Sequence, residues 1–462
     1  MMNIPISVVD KSLVFPKPVE FFIVRSMKDF LNNLLPHQHP LRLFYHKSLA
    51  VAASIAYGFP ANKMTVIAVT GTKGKSTTCN IIHKILSESG KKAGLMTTVN
   101  FKIGDEEDTN LTNQSTLSPF PLQRMFKKMV DAGCEIVVLE VTSHAIMQSR
   151  VWGINLDTCV FTNLSHEHLD YHGDMENYKK TKGQIFKNLN GSQRKAGVAK
   201  ISIINADDPE QEYFAAFPAD QQFKFGVING AYNARNLEAR PDGTKFTLKI
   251  PNGEVEVDFK IPGRMNVYNA VAAATVATAF HINLETIKKG LENMKPVPGR
   301  IEIIDSGQPF SVVVDFAHTA DSLEQVLSMF KEITKGRLIT VFGCTGNRDA
   351  LKRPIMGQIA DKYSDFIVLT DDDTYTEDPN SIAEMVRKGI NRKEGDRFWQ
   401  VLDRAEAIRL ALSIAKEGDS VLICGKGAQE YKYVGHGKIP FDDRKVAREI
   451  LSRVIDVELP TA

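Results

Sequence analysis

A chain of 462 residues is too long for one compact core and calls for about two to four domains. Its 57 basic and 55 acidic residues leave a formal charge of +2, and no Lys/Arg block forms a nucleic-acid or membrane footprint. The five cysteines (Cys79, Cys134, Cys159, Cys344, Cys424) are scattered without a CxxC pair, which argues against a disulfide framework or structural zinc.

Residues 1–12 lack the charged and apolar regions of a secretory signal, and no apolar run approaches the roughly 18 residues that span a bilayer. An enzyme of the reducing cytoplasm is expected. Residues 19–35 and 41–57 read as helices, so residues 1–63 are expected as a short helical N-terminal segment. From Thr65 onward, short β-branched runs recur at 65–70, 136–139, 158–161, 201–204, 312–314, 338–342, 366–369 and 421–424, and these read as buried strands. Stretches with helical spacing, such as Leu122, Met125, Phe126 and Met129, lie between them. The alternation predicts an α/β fold with a mainly parallel, doubly wound sheet. Residues 232–260 instead alternate polar and apolar around Pro241-Asp242-Gly243 and Pro251-Asn252-Gly253, which predicts antiparallel hairpins. Lys295-Pro296-Val297-Pro298-Gly299 then marks a boundary between a central domain, 64–296, and a C-terminal Rossmann-like α/β domain, 297–462.

The motif with the most chemistry follows the first strand: Gly71-Thr72-Lys73-Gly74-Lys75-Ser76-Thr77, opening a helix striped by Ile81, Ile82 and Ile85. Strand, glycine loop and helix together make a phosphate cradle. Gly71 and Gly74 let backbone N–H groups approach the phosphates, Lys75 can reach β/γ oxygens, and the Ser76 hydroxyl can ligand Mg²⁺. Walker spacing would need glycine where Val69 stands, so this is the shorter GTxGK[ST] form.

That short loop resembles the one in Mur ligases and their folylpolyglutamate synthetase relatives, and the resemblance runs on over about 64–451. Glu140-Val141-Thr142-Ser143-His144 is similar to E-V-[ST]-S-H, and the segment from Phe161 to Gly173 is similar to F-T-N-L-x-x-D-H-L-D-Y-H-G. Gly425-Lys426-Gly427 and Ile439-Pro440-Phe441-Asp442-Asp443-Arg444 resemble segments of the MurE branch, the UDP-N-acetylmuramoyl-tripeptide synthetases. The resemblance implies an ATP-dependent ligase that activates a carboxylate as an acyl phosphate and joins it to an amine. Its substrates would be a UDP-muramoyl dipeptide and an amino acid, in the peptidoglycan synthesis on which cell shape and division depend. It would need ATP and Mg²⁺, bind neither nucleic acid nor membrane, and work as a monomer or weak homo-oligomer.

The resemblance also assigns roles. Lys75, Glu140, His168 and Lys182 would be catalytic, and Ser76, Glu140, His168 and Lys182 would hold magnesium. Lys182 ends Tyr178-Lys179-Lys180-Thr181-Lys182, similar to a Y-x-x-x-K whose last lysine is carbamylated, a change that turns a repelling ammonium into an oxygen ligand. A zinc site at His166-Glu167-His168 is the competing reading, weakened by the absence of i, i+4 spacing. Asn266 and Asn269 would face adenine, with helix capping as the alternative, while Asp315 would meet the ribose and Arg300 the phosphates. Ser115, Thr116, Ser143, Arg150, Arg348, Asp372, Asp373, Gly425 and Gln429 are the candidate substrate contacts. Because Arg300 and later residues follow the boundary, closure of the C-terminal domain is expected to complete the site.

Three departures stand out. The diaminopimelate-type loop D-N-P-R is replaced by Asp372-Asp373-Thr374-Tyr375; the loss of the arginine fork argues against that amino acid, and the acidic run at 371–373 suits a cationic end such as that of lysine. Ala428-Gln429 stands where His-Glu is common. The N-terminal segment is short for a domain that holds uridine diphosphate, which keeps open a folylpolyglutamate- or cyanophycin-type acceptor, or a nucleotide-binding partner subunit of an amidotransferase.

Overall fold

Strands buried on both faces require apolar residues at every position rather than alternate ones, and the β-branched runs meet that demand. The computed structural model describes residues 36, 39–110, 112 and 114–458; the helix expected over 19–35 lies outside them. The helix expected over 41–57 is present as Pro40–Tyr57. The chain divides into two compact units, one built mainly from residues up to Met294 and the other mainly from Lys295 onward.

The first unit carries strands β1 (Thr65–Thr70), β2 (Ala93–Met96), β3 (Asn100–Ile103), β4 (Glu106–Thr109), β5 (Ile136–Glu140), β6 (Thr158–Phe161), β7 (Ile201–Asn205) and β8 (Gln221–Gly226). Three more, β9 (Tyr232–Arg240), β10 (Gly243–Ile250) and β11 (Gly253–Phe259), extend one edge, as the alternating pattern of 232–260 predicts. The sheet order is β11-β10-β9-β8-β7-β6-β1-β5-β2-β3-β4. β1 runs parallel to both neighbours, with Val69 level with Glu140 on one side and Thr70 with Phe161 on the other. The C-terminal ends of β1, β5 and β6 therefore open side by side, at the place where chain order reverses and ligands of such sheets bind. β3 and β4 escape a sequence reading because they form an antiparallel, largely polar edge. Helix Pro119–Asp131 buries the predicted Leu122, Met125, Phe126 and Met129, and helix Arg264–Ala279 buries small residues almost all round, which lets it pack closely.

The opposite end of the same strands is fixed by charge. Asp157, fully buried before β6, accepts from Val66 N at 2.9 Å and Lys200 Nζ at 3.1 Å, and also pairs with Lys195. Lys200 is itself fully buried and donates to Leu156 O at 2.6 Å.

The second unit holds a six-stranded sheet in the order β12-β13-β17-β14-β15-β16, from β12 (Glu302–Ile303), β13 (Ser311–Asp315), β14 (Leu338–Phe342), β15 (Phe366–Leu369), β16 (Phe398–Gln400) and β17 (Ser420–Cys424). Only β12 is antiparallel. Separate apolar clusters cover its two faces, as a doubly wound sheet requires. A small hairpin, β18 (Tyr431–Val434) and β19 (Gly437–Pro440), stands apart from it in sequence pairing. Arg404 and Asp443, both buried, form a two-pronged pair at 2.7 Å that ties helix Arg404–Ile414 to the C-terminal helix. No helix among the described residues is long and apolar enough to cross a membrane.

Replacing Asp157 by Ala leaves the buried Lys200 ammonium with the Leu156 and Gln193 carbonyl oxygens but no counter-charge, a loss on the order of 3–5 kcal/mol of unfolding free energy. Denaturant unfolding of Asp157→Ala beside the parent chain measures it, and a loss below about 1 kcal/mol would show that the pair is dispensable.

Candidate active site

The turn between β1 and helix Lys75–Glu88 is closed by two glycines that nothing larger can replace. Gly71 has φ +149°, and a Cβ there would fall 1.9 Å from Thr162 Oγ1. Gly74 has φ +80°, and its Cβ would lie 2.2 Å from Asn269 Oδ1. The segment after β6 stitches the turn in place: Thr72 N donates to Asn163 O at 2.8 Å and Lys73 N to Asn163 Oδ1 at 2.9 Å. In return Thr162 Oγ1 and Asn163 Nδ2 donate to Lys73 O at 2.8 and 3.0 Å. Lys75 Nζ folds back on Thr72 O at 2.7 Å, so the cation sits on the loop itself. The loop and the first turn of its helix offer backbone N–H groups and a helix N-terminus to an anion.

Glu140, the last residue of β5, is 2 % exposed and accepts from Ser76 Oγ at 2.7 Å, Thr98 N at 2.8 Å and Thr98 Oγ1 at 3.0 Å. Two predicted metal ligands are thus in contact, and Thr98 joins them. Lys182 enters from helix Met175–Gly191, 1 % exposed, donating to Gly71 O at 2.7 Å with its Nζ 4.4 Å from the Tyr178 ring centre. Burial, and next the Lys75 charge, push its pKa well below the usual lysine range against the opposing Glu167 and Glu140. Burial of this kind favours the neutral amine over the ammonium.

His168 takes the left-handed backbone region, φ +57°, and its ring lies 4.8 Å from His144 and 6.3 Å from Tyr178. Among the described residues no three His, Cys, Asp or Glu side chains gather as a metal cage, so the donors around the loop are a mixed set of hydroxyl, carboxylate and lysine. His172 is buried and pairs through Nε2 with Ser143 Oγ at 2.9 Å, which occupies one predicted substrate contact. Thr116 Oγ1 donates to Glu140 O at 2.9 Å, and Arg150 Nη1 donates to Thr116 O at 2.6 Å, so Thr116, Ser143 and Arg150 gather beyond β5, with Ser115 next along the chain.

Asn266 and Asn269 lie inside helix Arg264–Ala279 rather than at its start, which removes the capping alternative. Asn269 Nδ2 donates to Asn266 Oδ1 at 3.1 Å, and its Oδ1 accepts from Thr78 Oγ1 at 3.1 Å. The pair is therefore anchored to the helix that the phosphate loop opens.

The second unit assembles the remaining candidates. Asp315 ends β13 and accepts from Ile301 N and Ala317 N, both at 2.8 Å; burial raises its pKa, with Arg300 and these N–H groups opposing. The Arg300 guanidinium sits 4.7 Å from the Phe316 ring centre. The acidic run does not stand open. Asp371 pairs with Lys432, and Lys426 Nζ reaches Asp373 at 2.8 Å, Asp372 at 3.6 Å and Gln429 Oε1 at 3.2 Å. Burial would raise the Asp372 pKa, but Lys426 and Arg404 outweigh it and hold it below the usual range. Gly425, φ +120°, makes room for that carboxylate, since a Cβ there would meet Asp372 Oδ2 at 2.7 Å. The reading of residues 371–373 as a seat for a cationic amine is corrected by these internal partners. Arg348 lies 5.8 Å from the ring centre of Tyr375. Sequence reasoning passed over Thr98 and gave Asn163 no role of its own; both contacts join residues distant along the chain.

Two family models match the chain: the Mur ligase middle domain over residues 69–277 and the Mur ligase glutamate ligase domain over 299–427. The UDP-N-acetylmuramoyl-L-alanyl-D-glutamate--2,6-diaminopimelate ligase of Geobacillus thermodenitrificans is 42% identical over 405 residues, covering 87% of this chain and 82% of that protein. The enzyme of the same name from Bacillus licheniformis is 40% identical over 408 residues, covering 88% and 82%. A solved structure of a ligase of that name superposes with a TM-score of 0.64 at 31% identity, covering 85% of this chain and 79% of the other. Folylpolyglutamate synthase of Mycobacterium tuberculosis shares the fold at a TM-score of 0.64 but only 17% identity, over 90% of this chain and 96% of its own. Likeness at two-fifths identity over four-fifths of a relative, carried through both domain models, places the chain in the Mur ligase family, in its MurE branch, as an ATP-dependent ligase that joins an amine to a carboxylate.

Proposed function

We propose that this ligase extends a UDP-N-acetylmuramoyl-L-alanyl-D-glutamate acceptor by one diamino acid, with 2,6-diaminopimelate, the amino acid in its relatives' names, as that residue. The observation that carries the reading is the joint burial of Glu140 and Lys182 on the phosphate loop, one in contact with Ser76 and the other with Gly71. A cytoplasmic setting and a monomeric or weakly associated state belong to the same proposal.

In the reaction the acceptor carboxylate attacks the γ-phosphorus of ATP, which releases ADP and leaves an acyl phosphate. The amine then attacks the acyl carbon, and phosphate departs from the tetrahedral intermediate as the nitrogen loses its proton. Positioning and charge neutralisation supply most of the acceleration. The loop N–H groups hold the phosphates, and Lys75, now on Thr72 O, needs only a side-chain rotation to reach them. Asn266 and Asn269 take the base, while Asp315 and Arg300 take the ribose and phosphates. Ser76, Glu140, His168 and Lys182, once carbamylated, would hold Mg²⁺, whose charge would neutralise the phosphate and carboxylate oxygens. Thr98 holds Glu140 through two donors, so the carboxylate keeps one orientation with Ser76 beside it. Ser115, Thr116, Ser143 and Arg150 lie on the acceptor's side of the reaction, while Gly425 leaves room for the Asp372 carboxylate and Gln429 accepts from Lys426, the partner of Asp373.

Phosphate release from ATP, measured with the UDP-muramoyl dipeptide and a folate acceptor against diaminopimelate, ornithine and lysine, tests the assignment. Turnover that needs both the UDP-sugar and an amino acid is expected, and turnover without the UDP-sugar would sink it. Stripping CO₂ from the buffer should lower activity and bicarbonate should restore it, with ¹³C-bicarbonate giving a carbamate resonance in the parent chain. Lys182→Ala should lose both the resonance and activity by at least about 10²-fold, with no response to bicarbonate. Thr98→Val removes one donor to Glu140 and should raise the Mg²⁺ concentration for half-maximal rate by roughly 3–10-fold, whereas an unchanged requirement would free Thr98 from that role.

A further inference from the structure

Charge bookkeeping around residues 371–375 leaves two cations unspent. Lys426, Lys432, Arg353, Arg404 and Arg444 each pair with a carboxylate, and Lys352 donates to His318 O at 2.8 Å. Arg348 and Lys438 likewise form no ion pair among the described residues: Arg348 lies against an aromatic face, and Lys438 is hydrogen-bonded to the Tyr433 side chain, which raises its pKa. Arg348 lies 5.8 Å from the Tyr375 ring centre, Tyr375 stacks on Tyr433 at 5.0 Å, and Lys438 Nζ lies 4.9 Å from the Tyr433 ring centre and 5.6 Å from that of Tyr431. The arrangement is a ladder of cation, ring, ring, cation.

The ladder is held at a conformational cost. Tyr375 has φ +48°, a region that bulky residues avoid, and the β18–β19 hairpin keeps it there by clamping both sides of its peptide. Tyr375 N donates to Tyr433 O at 3.2 Å, and Gly435 N donates to Tyr375 O at 2.6 Å. Strain of this kind persists where the surroundings over-determine it, often at ligand sites. An ammonium held by a tyrosine side chain and lying near two rings is oriented without being neutralised, so its charge stays available to an anion. At the Arg348 end of the ladder the neighbouring Asp349 is exposed and accepts from Leu351 N at 2.9 Å, while, with the acids of 371–373 paired internally, the Lys438 end offers a positive group with no ion-paired carboxylate among the described residues. A cationic side chain such as that of lysine would be repelled there, and a carboxylate would be drawn in.

We propose that Lys438, carried on the β18–β19 hairpin and oriented by Tyr433, binds the distal carboxylate of the incoming amino acid, while Arg348 takes the carboxylate at the reacting end. The substrate class is then a diamino dicarboxylic acid, and Lys438 does the work that an arginine at position 375 would otherwise do. The assignment rests on the proposed function above, in that residues 372–375 are taken as the loop meeting the amine substrate. Burial plays no part at Lys438, which is exposed, so substitutions there leave the core intact.

The test is steady-state phosphate release by the full chain, at saturating ATP, Mg²⁺ and UDP-muramoyl dipeptide, with diaminopimelate or lysine varied. Lys438→Met should raise KM for diaminopimelate by roughly 10–100-fold, the scale of one charge-assisted hydrogen bond, with kcat within about twofold. KM for lysine should stay level or fall, Lys438→Arg should restore the parent KM for diaminopimelate, and thermal melting should be unchanged. An equal rise for both amino acids, a change in kcat alone, or no change at all would overturn the role of Lys438. A parent chain that turns over diaminopimelate while Lys438→Met is indifferent overturns only this inference. A parent chain that prefers lysine overturns both the inference and the amino acid named in the proposed function.

Discussion

The close approach of Thr162 and Asn269 to the two glycines of the phosphate loop is the contact on which the first unit's chemistry depends. With side chains at 71 and 74 the segment after β6 and the helix bearing Asn266 and Asn269 would both be pushed away. Because they are not, three parts of the chain distant in sequence share one turn: the strand–helix junction, the stretch from Thr162 to His168, and the helix Arg264–Ala279. Glu140 arrives at the same place for a simpler reason, since β5 is the parallel neighbour of β1 and ends beside it. Topology delivers the carboxylate, and sterics deliver the rest.

Two buried lysines show how the same side chain is put to different use. Lys200 is matched by the carboxylate of Asp157, so its charge is balanced within the fold. Lys182 has a carbonyl oxygen and a tyrosine face for company, and it lies near another lysine. A buried ammonium without a carboxylate partner is unfavourable, which favours the neutral amine at Lys182. The two lysines thus differ in partner rather than in burial.

Much of this was legible in the sequence, where signals are local. The β-branched runs, the glycine loop and the segments around Glu140, His168 and Lys182 each carry their meaning within a few residues, and the strands and helices fall where those patterns put them. What was illegible depends on partners far along the chain. Thr98 and Asn163 look like ordinary polar residues until the sheet brings them to Glu140 and Lys73. The acidic run at 371–373 read as a free negative surface because Lys426 and Lys432 lie some fifty to sixty positions away, as their separations of 53 and 61 show. The asparagines at 266 and 269 resembled caps because the helix start at Arg264 carries no strong capping signal of its own.

The ion triad of Asp157, Lys195 and Lys200 lies at the N-terminal ends of the strands whose C-terminal ends carry the loop, Glu140 and the residues after Phe161. Durability and reactivity are therefore written at opposite margins of one sheet, with the buried, mostly apolar lengths of the same strands between them. Drift at the reactive margin can alter what the enzyme accepts without loosening the fastening at the other. Changes at the fastening govern how long a molecule survives rather than what it makes.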